Sequence, residues 1–494
     1  MNRVHFVQPS SKSRNKLAKQ QIRVVRSLSV TLFILSICFA AVGAFAQRRD
    51  RDRDGDLSTL DPGPRGVSVG AGNPIQSLTD LQKVFFQNGL SQFTQEDTVA
   101  VTSPNNGGLG PAFNSDSCGS CHSQPATGGT SPSPNAFPFV NNLVNNARGQ
   151  NPQFTVGQLM GGSNSIPFFV TADGPVREAR FKSDGGVHDL FTIQGRTDVP
   201  NPPNTCILAQ PDFAAEAARG NLSFRIPTPV FGAGLIENIS DATILANLAA
   251  SASPQLGIAG VPNRSGNDGS ITRFGWKAQN KSLMVFAGEA YNVEMGVTNE
   301  LFPNERGYPP NPIPTGCLVN QTPEDRTIYE STTAVGTVSD VEAFAQFMRF
   351  LDQPIPACTG TGCSPQIQRG VGVFTAIGCA NCHTPSMTTA PSDETTGLSQ
   401  VQANLFSDLA LHHMGVGLAD GISQGGAGPD QFRTSPLWGI GQRVFFMHDG
   451  RTSNLYQAIV EHQSPGSEAS QVIENFRQLT NADKQSLILF LRSL

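Results

Sequence analysis

Apolar residues recur three and four positions apart in seven stretches of this chain, and they alternate in only a few short runs. The helical period predicts helices over Leu78–Leu90, Asp241–Ala252, Ala278–Met295, Asp340–Leu351, Gln366–Ile377, Leu455–His462 and Ala482–Leu494. The last follows Thr480-Asn481, an N-terminal capping signal. Gln153–Thr171, Glu178–Phe181 and His188–Gln194 hold short β-prone runs between Gly and Pro breaks. The pattern therefore predicts helical regions at both ends and a loop-rich α+β insertion between them. The expected boundaries are 61–151, 152–338 and 339–494.

Composition agrees with several cores joined by long loops. The chain has 494 residues, 50 of them Gly and 35 Pro, too long for one core. Its start reads as an export signal. Met1 to Arg26 carries seven basic and no acidic residues, Leu28 to Val42 is apolar, and Ala44-Phe45-Ala46 offers a small-residue cleavage site. Residues 1–46 are thus expected to be a cleaved signal peptide, and the apolar run is short for a bilayer span. Residues 47–60 alternate Arg and Asp and read as a disordered tail. Without the leader, 27 basic residues face 39 acidic ones. Such an acidic surface argues against nucleic acid and anionic membrane as partners.

Two pentapeptides change the picture most. Cys118-Gly119-Ser120-Cys121-His122 and Cys379-Ala380-Asn381-Cys382-His383 are both C-x-x-C-H, the attachment signature of a c-type haem. Two thiols on one tight turn would add to the haem vinyl groups, and the histidine that follows would coordinate the iron. Two covalently bound haem c groups are the expected cofactors, and mainly α, cytochrome c-like haem domains flanking the insertion are the expected fold. Two dithiols or disulfides, each followed by an incidental histidine, are the alternative. Among the other cysteines, Cys38 falls in the leader. Cys358 and Cys363 sit in a loop able to close on itself, which would leave Cys206 to pair with Cys317; free thiols are the alternative.

The segment from Gly108 to His122 resembles the entry motif of the bacterial di-haem oxidoreductase family, relatives of the di-haem cytochrome c peroxidases. So do Arg273-Phe-Gly-Trp-Lys-Ala278, Glu294-Met-Gly296, the run from Ser407 to Gly415, the run from Phe432 to Gly439, and His448-Asp-Gly-Arg451, in family order. His413 stands where the family usually has Asp. The resemblance implies a periplasmic oxidoreductase that reduces hydrogen peroxide at one haem, with electrons relayed through the other from a soluble donor protein. By the same resemblance the N-terminal haem is the reactive one. Relatives carry a calcium ion between the haem domains, but no Asp-rich loop here supports one.

Candidate residues follow. Met447, 64 residues after His383 and directly before His448-Asp449-Gly450, is the first candidate for distal ligand of the second haem; a core methionine is the alternative. Met414 and His412 are its rivals. His448 in its turn reads as structural, and His462 as a surface or packing histidine. His188 is a candidate removable cap on the first haem. Glu237, in an apolar stretch, is a candidate general base. Trp276 and Trp438, the only tryptophans, are candidates for an electron relay, a role the resemblance implies for one of them. Arg273, Lys277, Arg433 and Arg451 are candidate partners for haem propionates. Three other classes remain open: an electron-transfer cytochrome with both haem sites closed, a di-haem oxygenase or protein-modifying oxidase, and a haem-free thiol oxidoreductase.

Overall fold

Thr79 begins the first helix, and its hydroxyl accepts from Gln82 N while Gln82 Oε1 accepts from Thr79 N at 2.9 Å. This reciprocal cap is worth about 1 kcal/mol. The helix, α1 (Asp80–Thr94), buries Phe86, Gly89 and Phe93. In the computed structural model, residues 57–66, 70–101, 105, 107–110, 112–131, 151–154, 166–186, 189–190, 193–194, 210–306 and 320–494 are described. The expected signal peptide, most of the expected tail, His188, and the Cys206 and Cys317 pairing lie outside them.

Among the helices that follow are α2 (Ala233–Glu237), α3 (Asp241–Ser251), α4 (Leu283–Met295), α5 (Asp340–Phe350), α6 (Pro365–Ala376), α7 (Leu455–Val460), α8 (Ser470–Arg477) and α9 (Asn481–Ser493). The pattern-based helices are thus found with ends shifted by a few residues. The largest shift is at α4, which is capped by Ser282 and starts at Leu283, five residues after the expected start.

Two helix pairs carry the fold. In the first, α1 crosses α5 where Gly89 meets Ala343; a Cβ at Gly89 would collide with Ala343 O. Phe86 and Phe93 both pack on Phe347, with ring centroids 5.4 and 4.8 Å apart. Truncating such a buried ring to Ala costs about 3–5 kcal/mol. In the second, α6 crosses α9 at Gly370, where a Cβ would collide with Ser486 O. Phe374 there packs on Phe490 at 5.5 Å. Each pair also presents an aromatic to a motif histidine: Phe93 lies 5.9 Å from His122 and Phe374 lies 6.4 Å from His383.

The strands are short and antiparallel. β1 (Ala112–Phe113) pairs with β4 (Ile193–Gln194), and β2 (Glu178–Phe181) lies between β3 (Asp189–Leu190) and β5 (Leu222–Arg225). β6 (Met387–Thr388) pairs with β7 (Gln402–Ala403), and β8 (Leu411–His413) with β9 (Gln431–Arg433), setting His412 opposite Phe432. The result is a mixed fold dominated by helices, with small sheets. Within the compact unit Leu60–Leu494, Asp61 ties two helices together. Its carboxylate takes two bonds from Arg492 on α9, at 2.7 and 2.8 Å, and one from Leu455 N at the start of α7. Cys358 and Cys363 are disulfide-bonded, closing the small loop as their spacing suggests.

Candidate functional site

Both C-x-x-C-H strings form single tight turns. Cys118–Cys121 is one helical turn closed by His122 N donating to Cys118 O at 3.0 Å, and His383 N donates to Cys379 O at 2.9 Å. The four cysteines are free. Burial pushes the Cys121 and Cys379 thiols up to about 12, so they stay neutral.

The two histidines share a second feature. His122 Nδ1 lies 3.0 Å from Gly129 O, and His383 Nδ1 lies 3.0 Å from Phe406 O. Burial pushes both imidazoles down to about 4, so both are neutral. A carbonyl only accepts, so each ring carries its proton on Nδ1 and keeps Nε2 basic, the tautomer that ligates a metal. Phe406 offers its carbonyl from a left-handed backbone conformation, φ +51°, which costs about 1–3 kcal/mol in a non-Gly residue.

Each turn forms part of a cavity wall. The first cavity contains Cys118, Cys121 and His122 and has about 1080 Å³ of space free of protein atoms, part of it open solvent. The second contains Cys379, Cys382 and His383 and has about 1390 Å³ on the same measure. Trp276 lines both. Its Nε1–H donates to Ile226 O at 2.9 Å.

The second cavity fits a large anionic group. Arg433 and Arg443 line it, and Arg433 Nη1 and Arg443 Nε and Nη2 are buried with no hydrogen-bond partner among the described residues. Burial pushes both guanidinium groups down to about 10. Orphaned buried donors are costly, and carboxylates such as haem propionates would satisfy them. Arg433, a candidate propionate partner, thus lines the second cavity. Arg443 carries no pattern and was not legible. Arg273 is elsewhere: it is bound to Asp241 and to the carbonyls of Ile236, Glu237, Ile239 and Ile271, and it lines neither cavity.

The remaining candidates separate by their partners. Met447 and Met414 line the second cavity. His412 does too, but both its ring nitrogens are taken, Nε2 by Asp408 at 2.9 Å and Nδ1 by Glu468 at 2.8 Å. Burial alone would lower its pKa, but Asp408, Cys382 and Glu468 outweigh burial and raise it to about 12. An imidazolium has no lone pair to give, so His412 is corrected from ligand to buried ion. His462, read as a surface or packing histidine, lines the second cavity, and its Nδ1 lies 2.8 Å from Ala458 O, the arrangement seen at His122 and His383. His448, stacked on Phe432 at 4.4 Å, is kept neutral by burial, its pKa near 4.

Two catalytic candidates fall outside the cavities. Trp438 is buried and belongs to the main apolar core. Glu237 is ion-paired to Arg349 at 2.8 Å and accepts from Leu283 N at 2.9 Å, capping α4. Its setting is ionic rather than apolar. Glu294, half-buried at the end of α4, lies in the wall of the first cavity. Burial, with Glu178 nearby, raises its pKa to about 8. In the sequence Glu294 stands in Glu294-Met-Gly296 with nothing in the pattern to mark it as an acid of the site.

Among the described residues no helix is long and apolar enough to cross a membrane, and no three His, Cys, Asp or Glu side chains converge as a metal site.

Two cavities, each closing on a C-x-x-C-H turn and sharing one tryptophan, define a two-centre redox protein. The chain belongs to the family described as "Di-haem oxidoreductase, putative peroxidase", whose model matches residues 215–494. It is therefore a di-haem-family oxidoreductase, and membership implies haem as cofactor. Solved structures with likeness include a MauG-like protein associated with microbial copper homeostasis, 18% identical, covering 33% of this chain and 55% of that one, TM-score 0.24. Another is hydrazine synthase of Kuenenia stuttgartiensis, 16% identical, covering 61% of this chain and 98% of that one, TM-score 0.26. The chain thus spans about half the length of the first. A search of curated proteins finds no match.

Proposed function

We propose that this protein reduces hydrogen peroxide to two waters at its first cavity, using electrons that enter at the second and pass by way of Trp276. The observation that carries this reading is Glu294, a half-buried carboxyl with its pKa near 8 in the wall beside the first C-x-x-C-H turn. Haem c, linked through Cys118 and Cys121 with His122 and through Cys379 and Cys382 with His383, would supply the redox-active iron.

The chain's own groups would do the rest. Cleaving the O–O bond requires a proton to leave one peroxide oxygen and reach the other. A carboxyl poised near working pH serves both transfers, as base and then as acid. Trp276, common to both walls, gives an aromatic bridge between the centres. Arg433 and Arg443 would hold propionates at the second centre. His462 would be the preferred further residue to hold a haem iron there, because a carbonyl at Nδ1 leaves Nε2 basic; Met447 would be its rival. We take the protein to be exported to the periplasm, where c-type haem is attached, and to receive electrons from a soluble donor protein. The acidic charge balance favours a basic donor.

The test is peroxide consumption by the haem-loaded protein with a reduced small c-type cytochrome as donor. Wild-type protein should consume peroxide, and Glu294→Gln should lose about 10²–10⁴-fold in rate with the haem spectrum intact. No reaction with peroxide in any redox state would overturn the proposal.

A further inference from the structure

Tyr291 has no role in the reading above, yet its surroundings are unusual for a packing residue. It sits on α4 three positions before Glu294, so both lie on one helix face. Its ring lines the first cavity and is 2% exposed. Its hydroxyl lies 3.0 Å from Asp97 Oδ2 and 3.2 Å from Asp340 Oδ2, and both aspartates are buried.

A phenol has one proton to donate. Serving one carboxylate fully, it meets the other as an acceptor, and that carboxyl must carry a proton. Asp340 suits that place. Burial, followed by the neighbouring charges of Asp325 and Asp97, pushes its carboxyl well up. Asp325 itself is occupied by Asp340 N at 2.8 Å and Val341 N at 3.1 Å. Asp97 accepts a further bond from Gln95 Nε2 at 3.0 Å. The order is therefore Asp340 donating to Tyr291 and Tyr291 donating to Asp97. Burial and the carboxylates around it push the Tyr291 phenol well up, so simple ionisation is blocked. Its proton leaves readily only when an electron leaves too.

We infer that Tyr291 is a redox-active tyrosine, oxidised by one electron with its phenolic proton passing to Asp97. The O–H bond breaks and a neutral tyrosyl radical remains. The Asp97 carboxylate becomes a carboxylic acid, and the electron goes to the first centre after hydrogen peroxide has oxidised it. This rests on the peroxide reading for its oxidant. It gives the first cavity a store for oxidising equivalents when no electron arrives through Trp276.

The test mixes fully oxidised, haem-loaded protein with hydrogen peroxide in the absence of donor, freezes it within milliseconds and records EPR. Peroxide consumption is followed in parallel. Exposed Tyr329 is replaced by Phe in every sample. The expected result is an organic radical whose line narrows when the protein is made with ring-deuterated tyrosine, lost in Tyr291→Phe and diminished in Asp97→Asn. Peroxide consumed without a tyrosine radical, or a radical unchanged in Tyr291→Phe, overturns the inference. If peroxide is not consumed, the peroxide reading fails separately. Photogenerated tris(bipyridine)ruthenium(III) then supplies the one-electron oxidant, and a tyrosine radical equal in Tyr291→Phe and its parent again overturns the inference.

Discussion

Trp276 and His448 meet edge to face, their ring centroids 6.3 Å apart, and Trp276 belongs to the walls of both cavities. His448 in turn stacks on Phe432 at 4.4 Å, and Lys277 Nζ lies 4.0 Å from the centre of the Phe432 ring. Lys277 is itself buried and ion-paired to Asp420 at 3.1 Å. The indole is thus fixed by packing, by its bond to Ile226 O, and by a neighbour pinned in an ion pair.

The first prediction separates the two tryptophans. Trp276→Phe should slow re-reduction of the first centre through the second by about tenfold or more, a barrier rise of about 1.4 kcal/mol. Stopped-flow spectroscopy of donor-reduced protein mixed with peroxide measures this. Trp438→Phe should leave that rate unchanged and cost about 1–3 kcal/mol of stability, because Trp438 is a core side chain. Equal kinetic effects of the two substitutions would remove Trp276 from the relay.

The sequence made the centres legible because their chemistry is local. Two thiols and an imidazole within five residues are visible without a fold. The helices were legible because α1, α5, α6 and α9 each bury one face, which imposes a period on the residues. The distal groups were not legible, because each depends on a partner distant in sequence. His412 reads like a ligand until Asp408 and Glu468, the latter 56 positions away, are seen to occupy it. Glu237 and Glu294 both follow apolar residues, and only the fold pairs the first with Arg349 while leaving the second in a cavity wall. Arg443 is one arginine among many until its orphaned donors appear. Trp438 lost its candidacy for a similar reason: rarity marked it, but position decided its role.

Glu294 makes a prediction about pH. Its folded pKa, near 8, lies above the ordinary value of 4.5. The folded state therefore binds the extra proton between those limits. Stability from this group is present at low pH and falls as pH rises through that window, by at most about 1.4 kcal/mol per pH unit. Glu294→Gln should flatten that slope in denaturant titrations run from pH 5 to pH 8, and should remove a limb near pH 8 from the peroxide rate profile. A slope unchanged in the variant would assign the titration to another group.

His462 and Met447 make opposite predictions for the second centre. With His462 as sixth ligand, His462→Ala should convert that haem from low spin to high spin, while Met447→Leu should leave the spectrum unaltered. His462→Met should raise the reduction potential, the direction methionine ligation imposes. Visible spectra and a redox titration decide the matter. Loss of the low-spin signal in Met447→Leu alone would return the role to the methionine, which sits in the same wall with a backbone φ of +67°.

His412 offers the strongest electrostatic prediction. Its imidazolium lies between Asp408 and Glu468, with the His412 and Asp408 side chains 4% and 1% exposed. The free imidazole titrates near 6.5, and here the pKa is raised to about 12. The folded state thus holds a proton that the unfolded chain releases above 6.5. The stabilisation is complete below 6.5, declines as pH rises across the window, and is gone once pH passes about 12. Removing one member of such a buried cluster leaves uncompensated charge and costs about 3–5 kcal/mol. His412→Ala should therefore destabilise the protein most near pH 6 and progressively less toward pH 9, as read from urea unfolding midpoints. His412→Lys, which keeps the charge, should recover part of the loss. A penalty in His412→Ala that is the same at pH 6 and pH 9 would mean that packing, not charge, is what His412 supplies between β8 and the start of α8.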